Sequence, residues 1–173
     1  MSNEELNAAR ERVDSKLRYA RVMQADLCGM PRRGSDEARA HHEAFLFHLL
    51  GTWDALLQEM NVFYGLGLDR KGVSIASIRD GLAASGKLSA ALSKLSAIEN
   101  DPSSWLNCAK DMRNHATHRA SVGRHFYQGG PKSGQASLKD TRTGKEIDKD
   151  YVDLHDDWLA EMDRLVTDLR TLM

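Results

Sequence analysis

Apolar residues recur every three or four positions along most of the chain, with charged residues between them. This spacing places the apolar side chains on one face of a helix, so the pattern predicts amphipathic helices rather than strands. The first such segment runs from about Glu4 to Leu27 and carries Leu6, Val13 and Leu17 on its apolar face. Gly29 and the turn residues after it are expected to end this helix.

A second and wider apolar stripe follows, and it predicts the most buried helix of the protein. Ser35 or Asp36 provides a favourable N-cap, and the helix is expected to continue to about Tyr64. Gly65 and Gly67 then interrupt the pattern. Because the stripe covers a broad part of the helix surface, this segment is expected to contact several other helices.

The segment from Val73 to Ile98 shows the same period in two shorter pieces. Leu82 marks the first piece and Leu88 the second, and Ser85 and Gly86 lie between them. The pattern therefore predicts two short helices, or one helix kinked at this point.

Two further helices are predicted in the second half of the chain. Asp101 precedes Pro102, a combination that favours a helix start, and this helix is expected to last to about Ala120 or Val122. The last helix is expected from about Asp150 to Leu172. Trp53, Trp105 and Trp158 fall on apolar stripes and are predicted to lie in the core.

Residues 123–148 differ in character from the helical segments and form an insert before the last helix. Gly129, Gly130 and Pro131 are turn residues, and residues 125–127 and 136–138 can form short strands. A small β-hairpin or an ordered loop is therefore expected. The predicted fold class is all-α: a single domain, residues 1–173, built as an antiparallel four-helix up-and-down bundle with extra short helices and this insert.

Composition agrees with one ordinary globular domain. The chain has 173 residues, 41% of them hydrophobic and 28% charged, with a formal net charge of −1. These values exclude a disordered chain and a uniformly basic nucleic-acid-binding protein. The near-neutral total hides opposed blocks, because residues 110–145 carry a net +6 and residues 146–173 a net −6. The basic block suits a phosphate-binding surface, although the acidic last helix could neutralise it by packing beside it.

Cysteine usage and the N-terminus favour a soluble cytoplasmic protein without membrane association. Cys28 and Cys108 are isolated thiols, unlike the dense cysteine pattern of small secreted domains. The N-terminal residues are acidic and do not resemble a signal peptide. The most apolar stretch, residues 44–50, is far shorter than the ~20 residues that span a bilayer.

The candidate chemistry lies in the helix predicted after Pro102. Arg113, Asn114 and His118 combine a fixed positive charge, an orienting amide and a group that exchanges protons near neutral pH. Together they can hold a phosphate and move a proton. The ordinary alternative is a solvated helix face. Residues placed near them on the chain can extend the phosphate-binding surface: Arg119, Arg124 and His125.

The run from Arg113 to His118 resembles the signature of the HEPN superfamily, an Arg followed by a polar residue and then by a His. The resemblance covers this short motif and the helical pattern around it. It implies a metal-independent endoribonuclease that cleaves RNA by attack of the 2′-hydroxyl, with Arg113, Asn114 and His118 as catalytic residues and no cofactor. It also implies a homodimer in which two copies of the motif line one cleft.

Further roles follow from the same resemblance. Proteins of this superfamily act in toxin–antitoxin, phage-defence and RNA-processing systems, and some pair with an antitoxin or a small nucleotidyltransferase. Others are non-catalytic modules that bind nucleotide, RNA or a protein partner. A plain helical accessory protein with a coincidental motif is a third reading.

Two features of the sequence bear on these hypotheses of function. Five residues on a helix rotate by about 140°, so Arg113 and His118 do not project together. Either the long Arg113 side chain reaches round the helix, or a second protomer completes the site. A metal site is not predicted, because the histidines lack the carboxylate pattern of helical-bundle metal centres. His41 and His42 are expected on the helix surface, and His48 is expected to be partly buried.

Overall fold

A computed structural model describes residues 2–30, 33–118 and 122–173. Six helices and one two-stranded sheet make up this part of the chain. In chain order they are α1 (Asn3–Gly29), α2 (Asp36–Tyr64), α3 (Ile75–Ala84), α4 (Ala90–Asn100), α5 (Trp105–His118), β1 (Arg124–Phe126), β2 (Ala136–Leu138) and α6 (Tyr151–Leu172). The all-α bundle with a small hairpin before the last helix is thereby confirmed.

Local capping sets the ends of the two longest helices close to their predicted positions. Ser2 and Glu5 form a capping box at the start of α1. The Ser35 hydroxyl accepts a hydrogen bond from the amide of Ala38 and so caps α2. Gly65 ends α2 in the left-handed conformation, where a glycine avoids the strain of a Cβ atom. The two helices then pack against each other along much of their length.

The core lies between α2 and the surrounding helices. Trp53 and Trp158 are buried as predicted, whereas Trp105 is only half-buried at the start of α5. Among the described residues, no helix is both long and apolar enough to cross a bilayer. Every long helix contributes buried side chains to one cluster, among them Val13, Leu17, Phe45, Leu49, Met60, Leu106, Met112, Met162 and Leu169.

The insert folds as an antiparallel hairpin in which Arg124 pairs with Leu138 and Phe126 with Ala136. The three residues of β2 are buried, so this strand seals the hairpin against the bundle. Asp150 connects the hairpin to the last helix. One of its carboxylate oxygens caps α6 by accepting from the amide of Val152, and the other accepts from the amide of Ala136, each at 3.0 Å.

Two local predictions are wrong. The helix expected from Pro102 begins instead at Trp105, because the Asp101 carboxylate accepts from the amide and hydroxyl of Ser103 and closes a turn. Leu88, expected on an apolar stripe, precedes α4 and is fully exposed. The predicted end of the α5 helix at Ala120 lies outside the described residues, and Val122 is not helical.

Candidate functional site

Arg113 lines the large groove of the protein's surface. It lies on the third turn of α5, one residue beyond the buried Met112, and its own side chain is half-buried. The groove has a volume of about 830 Å³. Its other walls come from one face of α1, one face of α2 and residues 65–70 after α2, with small residues such as Ala8, Ala9 and Gly51 keeping it open.

The groove carries more positive than negative side chains. Four cations line it, namely Arg12, Lys16, Arg70 and Arg113, against the two carboxylates Glu5 and Asp54. Within the described residues, none of these four cations forms an ion pair within 4.0 Å. Such a surface attracts anions, and phosphate groups in particular.

Asp54 faces this positive field from α2. Partial burial in the groove raises the pKa of its carboxyl, and the nearby charges of Arg113 and Lys110 oppose that shift. Asp54 is nevertheless an exposed residue overall. The carboxyl therefore lies at the groove edge, where it can meet solvent as well as Arg113.

Asn114 lies beside Arg113, as the sequence predicts for neighbouring positions. Its side chain is exposed, and its Oδ1 is 3.5 Å from the Nη2 of Arg113, at the long limit of a hydrogen bond. His118 is the last residue of α5, one helical turn beyond Asn114. The side chain of His118 lies outside the described part of the structure, and so does the whole of Arg119.

Arg124 is not brought to the groove. It lies on β1, where its guanidinium is 5.4 Å from the centre of the Tyr151 ring and its Nη1 donates to the carbonyl of Arg33 at 3.4 Å. Its Nε and Nη2 are buried without a partner among the described residues. Arg124 acts on His42 through its charge, and His42 lies about 18 Å from Asp54 along the α2 axis.

His125 is exposed on the same strand. Its ring contacts Tyr127 edge-on, with ring centres 4.9 Å apart. His125 and Arg124 thus belong to the hairpin, whereas Arg113 belongs to the groove. The predicted continuous surface from Arg113 to His125 passes through residues 119–121, which lie outside the described residues.

A buried histidine pair was missed by the sequence reasoning. His42, expected on the surface, is 1% exposed, and its Nδ1 lies 3.0 Å from the Nε2 of the fully buried His155. The prediction for His42 is wrong because α6 covers that face of α2 with Tyr151 and His155. Burial lowers the pKa of His42 to about 3 and lowers that of His155 well below its ordinary value. Both rings are therefore neutral at pH 7.

Residues 2–30, 33–118 and 122–173 contain no group of three or more side chains placed to hold a metal ion. Comparison with protein-family models, with curated proteins and with solved structures found no match to this chain. The groove and α5 are therefore the features of this molecule that point to a function.

Proposed function

We propose that the protein is a metal-independent endoribonuclease of the HEPN type, with Arg113, Asn114 and His118 as its catalytic residues. The observation that carries this proposal is the position of Arg113, half-buried on a groove that bears three more cations. Single-stranded RNA carries one negative charge per nucleotide, so a groove with more positive than negative side chains can attract it.

The proposed reaction divides the chemistry between two side chains. A neutral His118 removes the proton of the 2′-hydroxyl, the 2′-oxygen bonds to the adjacent phosphorus, and the bond to the 5′-oxygen breaks. The leaving oxygen takes a proton from the protonated imidazole, which leaves a 2′,3′-cyclic phosphate and a 5′-hydroxyl. The guanidinium of Arg113 stabilises the extra charge on the phosphorane oxygens.

The proposal includes a homodimer. Because five residues turn an ideal helix by about 140°, positions 113 and 118 of one protomer fall on different faces of α5. Two α5 helices facing each other bring an arginine and a histidine from opposite protomers to one phosphate. Sedimentation of the purified protein at micromolar concentration is expected to show a dimer.

The test is cleavage of a labelled RNA in the presence of EDTA. We expect His118→Ala to abolish product formation, since it removes the proton-transfer group, and Arg113→Ala to lower the rate by about 100- to 1,000-fold, since it removes the charge that stabilises the phosphorane. Matched controls are His41→Ala and Arg79→Ala, which alter a histidine beside Asp26 and an exposed arginine on α3. Equal cleavage by wild type and His118→Ala would overturn the site assignment.

A second candidate is a non-catalytic module that binds nucleotide or RNA. The groove volume of about 830 Å³ favours it, because this is the size of sites that enclose small ligands. Binding of RNA without any cleavage product, weakened by Arg113→Ala and unaffected by His118→Ala, would establish this function instead.

The proposed ribonuclease would act as a toxin or a defence protein in the cytoplasm. Induced expression of the wild type is then expected to arrest growth, and expression of His118→Ala is not. Rescue by co-expression of a neighbouring gene product would identify an antitoxin or nucleotidyltransferase partner.

A further inference from the structure

Two aromatic side chains stand exposed where α1 and α2 border the groove. Phe47 on α2 is 59% exposed and Tyr19 on α1 is 50% exposed, so about half of each side chain is open to solvent. Phe47 itself lines the groove. Exposed rings beside a charged groove are a feature that core packing does not explain.

His48 joins the two rings into one patch. Its ring contacts Tyr19 and Phe47 edge-on, with ring centres 5.3 Å away in both cases. Partial burial, with a smaller effect of Lys16, lowers the pKa of His48, so the ring is neutral at pH 7. The three side chains therefore form a continuous aromatic surface without a charge of its own.

Lys16 connects this surface to the cations of the groove. Its Nζ lies 4.9 Å from the centre of the Phe47 ring, within the range of a cation–π contact. Its aliphatic stem crosses α2 at Gly51, where a Cβ atom would meet the Lys16 Cδ at 3.3 Å. The missing side chain at Gly51 thus lets Lys16 reach over α2 toward Phe47.

We propose that Phe47, Tyr19 and Lys16 form a base-binding subsite at the end of the groove, which takes a single-stranded nucleic acid with its phosphates on Arg12 and Arg113. The identification of RNA as the natural ligand rests on the proposed function. The subsite itself rests on the exposed rings and on the excess of cations over carboxylates in the groove.

The chemistry of the patch favours single strands over duplexes. Unpaired bases expose their flat faces and stack on aromatic side chains, whereas a duplex hides those faces within its own stack. Lys16 supplies a charge next to the ring, so one nucleotide can place its base on Phe47 and its phosphate on the lysine. A protein partner would find a patch of only three rings, bordered by Lys16 and the other cations of the groove, instead of a large apolar surface.

The experiment measures fluorescence anisotropy of a labelled single-stranded DNA, which lacks the 2′-hydroxyl and cannot be cleaved by the proposed reaction. We expect Phe47→Ala to weaken binding by roughly 5- to 100-fold and Phe47→Trp to restore it, because stacking is a property of the ring. Lys16→Met should lower the salt dependence, with the slope of log K against log salt falling by about 0.7.

The matched control is Phe126→Ala, because Phe126 is also exposed, at 45%, but lies on the hairpin. It should leave DNA affinity unchanged. Equal affinity of wild type and Phe47→Ala would overturn the subsite, and so would equal binding of single-stranded and duplex DNA or no binding at all. Loss of self-association in Phe47→Ala at unchanged DNA affinity would identify a protein interface instead.

The two proposals fail separately. DNA binding that depends on Phe47, with no RNA cleavage, would retain the subsite and remove the ribonuclease. Cleavage in EDTA that depends on His118, with DNA binding independent of Phe47, would retain the ribonuclease and remove the subsite.

Discussion

The guanidinium of Arg170 donates hydrogen bonds to both oxygens of the Glu59 carboxylate, from Nε at 3.1 and 3.3 Å and from Nη2 at 3.1 Å. Glu59 is fully buried on α2, and Arg170 lies near the end of α6. Two residues of α1 complete the cluster, since Arg10 donates to Glu59 and Asp14 accepts from Arg170. The charged pair therefore fixes the relative positions of three long helices.

Removing one partner of this pair should destabilise the fold strongly. In Arg170→Ala the buried Glu59 carboxylate keeps only Arg10 as a partner, and we expect a loss of about 3–5 kcal/mol in the free energy of unfolding. Urea denaturation followed by circular dichroism measures it. The control is Arg164→Ala, which breaks an exposed pair with Glu161 and should cost under about 1 kcal/mol. Similar losses in the two variants would contradict the role assigned to Glu59.

The histidine pair should make stability depend on pH. The folded-state pKa values of His42 and His155 lie below the ordinary value of 6.5, so protonation favours the unfolded chain. The contribution of each histidine is fully present above about pH 6.5 and is lost as the pH falls, for His42 down to about pH 3, by up to about 1.4 kcal/mol per pH unit for each.

The groups around the pair strengthen this expectation. Arg124 from the hairpin adds positive charge, and the only other neighbouring rings among the described residues are Phe45, Tyr151 and Trp158. Denaturation between pH 6.5 and 5 should therefore show a shallower loss of stability in His42→Gln than in wild type. The exposed His125→Gln serves as control and should keep the wild-type slope, whereas an unchanged slope in His42→Gln would disprove the assignment.

Arg113 should not be replaceable by lysine if the ribonuclease proposal holds. Lysine keeps the charge but loses the planar fork that binds two phosphate oxygens. We expect Arg113→Lys to lower the single-turnover cleavage rate by at least about tenfold, and Arg113→Ala by about 100- to 1,000-fold. Unchanged rates for both variants, with the fold intact by circular dichroism, would remove Arg113 from the reaction.

The substitution Gly51→Ala should affect the stability of the protein and its binding of DNA in different directions. Replacing a glycine within a helix by alanine can stabilise the helix by up to about 1 kcal/mol. The new Cβ atom would displace the stem of Lys16, because it would lie 3.3 Å from Cδ. Gly51→Ala should therefore raise or preserve the thermal midpoint while weakening single-stranded DNA binding. If Gly51→Ala binds DNA as tightly as the wild type, the position of the Lys16 stem beside residue 51 is not needed for binding.

Periodicity predicted the helices well because each one packs a single apolar stripe on the core. It failed at the start of α5, where the Asp101 side chain closes a turn with Ser103 instead of capping a helix at Pro102. It also failed for His42, since the α6 residue that packs on it, His155, lies 113 positions away in the chain. Contacts between distant segments leave no trace in local spacing.

The candidate site was predictable only in part. Arg113 and Asn114 were selected for their residue types and spacing, and of the two Arg113 lines the groove. Arg12, Lys16 and Phe47 were missed because their role depends on how α1 packs against α2. Gly51, a glycine in the middle of α2, is a feature of the sequence that could have pointed to the groove. Arg124 was assigned to phosphate binding by its charge, but β1 directs it toward Tyr151.

Asp150 connects local unfolding of the hairpin with local unfolding at the start of α6. Its carboxylate holds the amide of Ala136 in the hairpin and the amide of Val152 at the start of α6, and it also pairs with Arg33 before α2. Lifting the hairpin breaks the bond from Ala136 and frees one of the two oxygens of the carboxylate that caps the last helix. Protection of the first amides of α6 against hydrogen exchange should therefore fall when the hairpin opens, so that the two regions are coupled through one side chain.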